Sequence, residues 1–173
     1  RKMVGFKIFV MYRQPIEYIG KKDDFLKVVT KYWSDVADVI SFNHGLHINY
    51  DSTMAEMLDV TLPLLNEFGS KPGKLAFYRE TSAQHFAGGT GSYESRDPDA
   101  TSCAGHADGA HPGYRNMLLY RAVKEKFHGS HVEGVWRVSA PSNDMHLEAN
   151  SKGVTDCTHF CFNPFFWEGM FSN

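Results

Sequence analysis

Apolar positions along this chain alternate between the two-residue period of strands and the three-to-four-residue period of helices. Val4-Gly5-Phe6-Lys7-Ile8-Phe9-Val10-Met11 is rich in β-branched and aromatic residues with no breaker after Gly5, and it predicts a strand. Phe25, Leu26, Val28, Val29, Tyr32 and Trp33 form a helical stripe. Val36 to Phe42 is a short apolar run ending at Asn43, the signature of a buried strand. Ser52 or Thr53 is placed to cap a helix reaching about Phe68, with Gly69 as its stop. Lys74 to Tyr78 predicts the next strand, and residues 87–113, dominated by Gly, Ser, Asp, Ala and His, predict a long surface loop. Pro112 opens a helix marked by Leu118, Leu119, Ala122 and Val123 and ending near Phe127, and Val132 to Val138 predicts a last strand. Strands alternating with helices imply an α/β domain with a mostly parallel sheet covered on both faces.

Composition narrows this picture more than it redirects it. The chain has 173 residues, 42% hydrophobic and 14% aromatic, enough for a single domain with a sizeable core over residues 1–173. A net charge of −2 gives no basic footprint for nucleic acid or an acidic membrane surface, and no apolar run is long enough to span a bilayer. The chain opens at Arg1-Lys2 with no initiating segment, so it is expected to be part of something longer. Three cysteines allow at most one internal disulfide.

Ligands of parallel α/β sheets bind beyond the carboxyl ends of the strands. The residues that follow the expected strands are polar and reactive: Asn43-His44-Gly45-Leu46-His47, then Arg79-Glu80-Thr81-Ser82-Ala83-Gln84-His85-Phe86, then Asp144-Met145-His146 and Asp156-Cys157-Thr158-His159-Phe160-Cys161. The last stretch carries the densest chemistry. An Asp three residues before a His lets one turn of backbone present both groups, so that the carboxylate fixes the imidazole tautomer and the imidazole takes a proton from a hydroxyl nucleophile. Two other arrangements share the pattern: a satisfied Asp/His pair in a loop, and a Cys/His metal site. Asn43 is placed either to donate to an oxyanion or to form a turn with Gly45. Trp33, Phe42, Phe160, Phe162, Phe165, Phe166 and Trp167 are read as packing residues.

Taken together, these segments resemble a known family. Asp156-Cys157-x-His159-x-Cys161 with Pro164 and Trp167-Glu168, Arg79-x-x-Ser82-x-x-His85-Phe86 with Gly88-Gly89, Phe42-Asn43-x-Gly45, and Asp144-x-His146 are similar, block by block and in order over roughly residues 36–173, to the trichome-birefringence-like polysaccharide O-acetyltransferases, part of the PC-esterase group of the SGNH/GDSL superfamily. The resemblance implies a flavodoxin-like three-layer α/β/α fold, transfer or removal of acetyl groups on glycan hydroxyls, and a location in the secretory pathway, in the Golgi lumen or outside the cell. It implies Asp156 and His159 as catalytic residues with Asn43 assisting, and Arg79, His85 and His146 at the substrate or behind the site. It implies a glycan or other hydroxyl acceptor and an acyl donor as partners, no cofactor and no metal. In that setting a disulfide from Cys103 to either Cys157 or Cys161 is the better account of the cysteines than zinc, and it would tether the long loop over the catalytic turn.

The chain departs from the family pattern in three ways. Leu46 intervenes between Gly45 and His47, the loop after Phe86 holds only Cys103, and no Gly-Asp-Ser or Gly-x-Ser-x-Gly occurs; Gly91-Ser92 is a common loop pair. The nucleophilic serine is therefore expected outside this segment, which by itself should be inactive. The rival expectations are an inactive glycan-binding or structural member of the same fold and a Cys/His metal protein.

Overall fold

The computed structural model describes residues 37–46, 48, 50–88, 90–106, 110–146 and 156–161. The expected strand Val4–Met11, the helical stripe from Phe25 to Trp33, His47, Gly89 and the aromatic cluster after Cys161 lie outside them. The described residues form an α/β arrangement. Strands β1 (Val39–Phe42), β2 (Leu75–Arg79) and β3 (Val132–Glu133) pair in the order β1-β2-β3, all parallel, with Ile40 beside Ala76 and Tyr78 beside Val132. Helix α1 (Asp51–Gly69) connects β1 to β2, and α2 (Tyr114–Glu125) lies between β2 and β3.

Side chains decide how these layers meet. Along α1, Met54, Leu58, Thr61, Leu62, Leu65 and Phe68 are buried, one stripe at helical spacing. They pack on Ile40, Ala76 and Tyr78, the alternate residues of β1 and β2 that point to one face, and on Leu119 of α2. The two long helices therefore share that face and one core. The start of α2 also clamps the β1–α1 connection: Arg115 donates to the carbonyls of Leu46 (2.7 Å) and Ile48 (3.0 Å), and the Tyr114 hydroxyl donates to Ile48 as well. On the opposite face, Val39 is 58% and Leu75 43% exposed among the described residues.

Several boundaries differ from expectation for identifiable reasons. Helix α1 starts at Asp51 rather than behind a Ser52 or Thr53 cap; Tyr50 precedes it with no side-chain cap, its carbonyl accepting from the Met54 N–H. Gly69 is the last helical residue, and the end is closed by the Ser70 hydroxyl donating to the Glu67 carbonyl, while the left-handed residue is Gly73 at φ 75°. The largest correction is the last strand. Only Val132 and Glu133 pair with β2, and Trp136–Ser139 form a helical turn, α3. The cause is Glu80. Its buried carboxylate accepts from the backbone N–H groups of Val135 (2.8 Å) and Trp136 (2.7 Å) and from the Tyr120 hydroxyl. Those N–H groups can then no longer continue a ladder, and the chain coils around the carboxylate instead.

Leaving such donors without an acceptor costs about 1–3 kcal/mol. Glu80→Leu, which removes both carboxylate oxygens and leaves those N–H groups without an acceptor, is expected to lower unfolding stability by at least about that amount. Urea denaturation would read this as a lower midpoint at unchanged slope, whereas an unshifted midpoint would show that α3 does not depend on the carboxylate.

Candidate functional site

The carboxyl ends of the three parallel strands lie at one edge of the sheet, and the residues leaving them converge there. Beyond β2, the chain runs extended from Glu80 to Phe86 and is held on several sides. The amide of Asn116 donates to the Thr81 carbonyl and accepts from the Thr81 N–H, each at 2.9 Å. The Ala83 N–H donates to the Ser139 hydroxyl in α3, the His85 N–H donates to the Cys157 carbonyl, and the Ala104 N–H donates to the His85 carbonyl. This extended segment is thus the rail to which the Asp156–Cys161 turn and the 87–113 loop are both fastened.

The turn itself assembles locally. Oδ1 of Asp156 accepts from the backbone N–H of Thr158 (2.9 Å) and His159 (3.0 Å), an Asx-type turn, which leaves Oδ2 to meet Nδ1 of His159 at 2.7 Å. The Asp156 side chain is 31% exposed and that of His159 73%. Partial burial works to raise the Asp156 carboxyl, but the N–H groups of His159 and Thr158 and the His159 ring together outweigh it and hold the acid below its ordinary value. The carboxylate therefore orients the ring with Nδ1 as donor, and Nε2 is bonded by no group among the described residues. An imidazole in this state accepts a proton at Nε2 and is stabilised as a cation by the carboxylate behind it.

Cys103 is disulfide-bonded to Cys157, and Cys161 is free. This resolves the choice of partner that the sequence leaves open, and it ties the long loop to the turn two residues from His159. It also removes two of the three thiolates from any zinc site, and among the described residues no group of His, Cys, Asp and Glu gathers as metal ligands. The loop carries a short 3₁₀ turn at Tyr93–Ser95 and tight glycines. At Gly88, φ is 114° and an added Cβ would lie 2.4 Å from the Ser95 carbonyl oxygen; at Gly91 it would lie 2.7 Å from the His106 ring. Ser92 spends its hydroxyl on Thr90 and Ser95 rather than on His159.

The other expected residues take different places. Asn43 lies at the end of β1, where its amide N–H₂ donates to the Arg79 carbonyl (2.8 Å) and Thr81 Oγ1 (3.3 Å) and its oxygen accepts from the Gly45 N–H. This is the turn arrangement; an N–H of Asn43 reaches an oxyanion only if one of those bonds gives way. Arg79 contributes its carbonyl to this contact, and among the described residues its guanidinium makes no hydrogen bond or ion pair. His85 and His146 are buried behind the turn and bonded to each other, Nδ1 to Nε2 at 2.6 Å. His44 is a core residue between Tyr78 and Thr61, and burial lowers its pKa to about 3.

Sequence reasoning missed two contributors. Glu80 sat unremarked inside the block after β2, although a lone acid beside a strand end is a signal that could have been followed. Gln84 donates its amide to the Thr158 hydroxyl at 2.9 Å and also lines a cavity of about 370 Å³ whose walls include His106, His111, Tyr114, Asn116 and Trp136. No local pattern announces a contact across that much sequence. Gln84 thus both borders the cavity and bonds the turn, although no residue of the turn itself lines the cavity.

Compared with known proteins, the chain matches no family model, no curated protein and no solved structure.

Closing the 54-residue span between Cys103 and Cys157 restricts the unfolded chain by roughly 4 kcal/mol. Cys103→Ser is expected to lower unfolding stability by about 2–4 kcal/mol, measured by urea titration, with no further loss on adding a thiol reductant. A second loss with reductant would point to a different pairing.

The buried histidines set a pH dependence. Burial lowers His44 to about 3 and His85 to about 4, and it lowers His146 as well, all from an unfolded value near 6.5. Below about pH 6.5 the unfolded chain binds protons that the folded one refuses, so this stability is complete above pH 6.5 and is lost as pH falls towards those lower values. The urea midpoint is expected to be clearly lower at about pH 5 than at about pH 7.5, and a flat profile would contradict the neutral burial of these rings.

Proposed function

We propose that the chain forms the acid–base part of an acyltransferase or carbohydrate esterase domain, acting on acyl esters, acetyl above all, of glycan hydroxyls. One observation carries the reading: an Asp–His pair joined at 2.7 Å, with the far ring nitrogen open to an incoming hydroxyl, on a turn covalently fastened beside a cavity wall. The resemblance of the Asp156–His159, Arg79–Phe86, Phe42–Gly45 and Asp144–His146 blocks to the SGNH-type polysaccharide O-acetyltransferases supports the substrate class. The parallel β1-β2-β3 sheet with both long helices on one face is an α/β arrangement, and the proposal extends it to a three-layer α/β/α fold.

In this mechanism a serine outside these residues attacks the acyl carbonyl while His159 Nε2 takes its proton. Asp156 holds the imidazolium. The tetrahedral intermediate collapses, and the proton passes to the leaving oxygen of the donor. A glycan hydroxyl, or water in an esterase, then attacks the acyl-serine, giving its proton to His159; the released serine takes it back. Asn43, at the end of β1, is proposed to assist the oxyanion by exchanging its bond to Thr81. The cavity beside Gln84, with Trp136 and Tyr114 in its walls, offers flat apolar faces beside polar groups, a fitting bed for the acceptor sugar. No cofactor enters the scheme. An oxidising compartment, the secretory pathway, suits the disulfide.

The test uses the protein together with its nucleophile. His159→Ala is expected to lower turnover of an aryl acetate by about 10⁴-fold or more, and the 173-residue chain alone should show no saturable hydrolysis. Unchanged turnover in the variant, or saturable hydrolysis by the chain alone, would overturn the assignment.

A further inference from the structure

Behind the turn, four groups form a continuous line. The Ala140 carbonyl is 2.8 Å from His85 Nε2, His85 Nδ1 is 2.6 Å from His146 Nε2, and His146 Nδ1 is 3.1 Å from the carbonyl of His159 itself. A carbonyl only accepts, so each end of the line needs an N–H pointing outward, and the central link needs one N–H between the rings. Three contacts require three protons. Two neutral imidazoles carry one proton each. The line is one proton short whenever both rings are neutral, and one of its contacts must then be two lone pairs facing each other.

Distance and burial say which contact that is. His85 is wholly buried, its pKa lowered to about 4 by desolvation, and the His146 and His106 rings near it act in the same direction. His146 is 8% exposed and lowered chiefly by desolvation, with the backbone contact to His159 and the Asp156 carboxylate opposing and the His159 ring adding to it. At neutral pH both rings are therefore uncharged. With two protons available, the two short contacts are kept: His85 Nε2–H to Ala140 and His146 Nε2–H to His85. The longest one, to the His159 carbonyl, is left without its proton.

We propose that His85 and His146 form a proton-operated latch on the catalytic turn, in which uptake of one shared proton puts an N–H on His146 Nδ1 and fastens the backbone of His159. The groups that set the uptake are those already named: His106 from the 87–113 loop, packed against His85 at 5.0 Å between ring centres, and Asp156 and His159 from the turn. Phe160 lies with its ring centre 4.3 Å from that of His146 and its plane tilted 34°, an aromatic face that favours the ring when it is charged. His146 thus acts as a positioning residue through the main chain of its neighbour. That consequence for turnover rests on reading His159 as the base, but the latch itself does not.

The experiment is ¹⁵N-resolved NMR of the histidine rings in the unaltered chain, with ¹³C labelling of the His159 carbonyl. At about pH 7.5 the pair should carry protons on His85 Nε2 and His146 Nε2 alone. As pH falls from about 6.5 towards 4, a single shared step should protonate His146 Nδ1, and the His159 carbonyl resonance should move with the same midpoint. Three protons on the pair at pH 7.5 would overturn the proposal. So would two separate ring titrations, an unmoved carbonyl, or unfolding before uptake. A pH profile of turnover is not involved, so failure here leaves the acyl-transfer reading standing, and loss of that reading leaves the latch to be judged on its own spectra.

Discussion

The position of everything around the candidate site goes back to one buried carboxylate. Glu80 leaves β2 pointing inward, where an unsatisfied charge or acceptor would be costly, and it gathers the Tyr120 hydroxyl and the N–H groups of Val135 and Trp136 around itself. The contact stops the third strand and starts α3. From α3, the Ser139 hydroxyl receives the Ala83 N–H, and the Ala140 carbonyl receives His85. His85 in turn meets His146, and His146 meets the backbone of the Asp156–His159 turn. A single acid beneath the sheet edge is therefore linked, step by step, to the place where the Asp156–His159 turn stands. Tyr120 responds to the same environment: burial and the neighbouring Glu80 raise its pKa.

The Asp156–His159 contact itself adds little to folding. A pair whose His side chain is 73% exposed contributes at most about 1 kcal/mol. Its value is orientation. One carboxylate oxygen is occupied by the backbone of the next residues and the other by the ring, so the geometry is set within four residues and needs no distant support for its internal arrangement. What distant support supplies is location: the disulfide to Cys103 and the His85 N–H to the Cys157 carbonyl place this small rigid unit beside the Gln84 wall of the cavity.

This division explains what was legible in the sequence. The Asp-x-x-His contact, the α1 stripe and the parallel β1–β2 pairing rest on short-range periodicity and spacing, and periodicity and spacing are what a sequence displays. The exchange of a strand for α3 was not legible, because Val135–Val138 has strand-like composition and the deciding acceptor, Glu80, is distant in the chain. Asn43 was ambiguous for a related reason. An amide at a strand end is equally suited to a ligand and to a turn, and only the nearby Arg79 carbonyl and Thr81 hydroxyl show where it points. His85 and His146 are expected either at the substrate or behind the site, and the fold places them behind the turn, bonded to each other, a pairing that spacing along the chain does not encode.

The disulfide also makes the junction between loop and turn depend on redox conditions. The Cys103–Cys157 bond joins segments 54 residues apart, and such a bond persists where thiols are kept oxidised. In reducing surroundings that cross-link is absent, and the loop and the turn keep their hydrogen bonds to the 80–86 segment as their hold on each other. The hold of the loop on the turn is graded by the redox state of the surroundings: hydrogen bonds alone when the thiols are reduced, a covalent tie as well when they are oxidised.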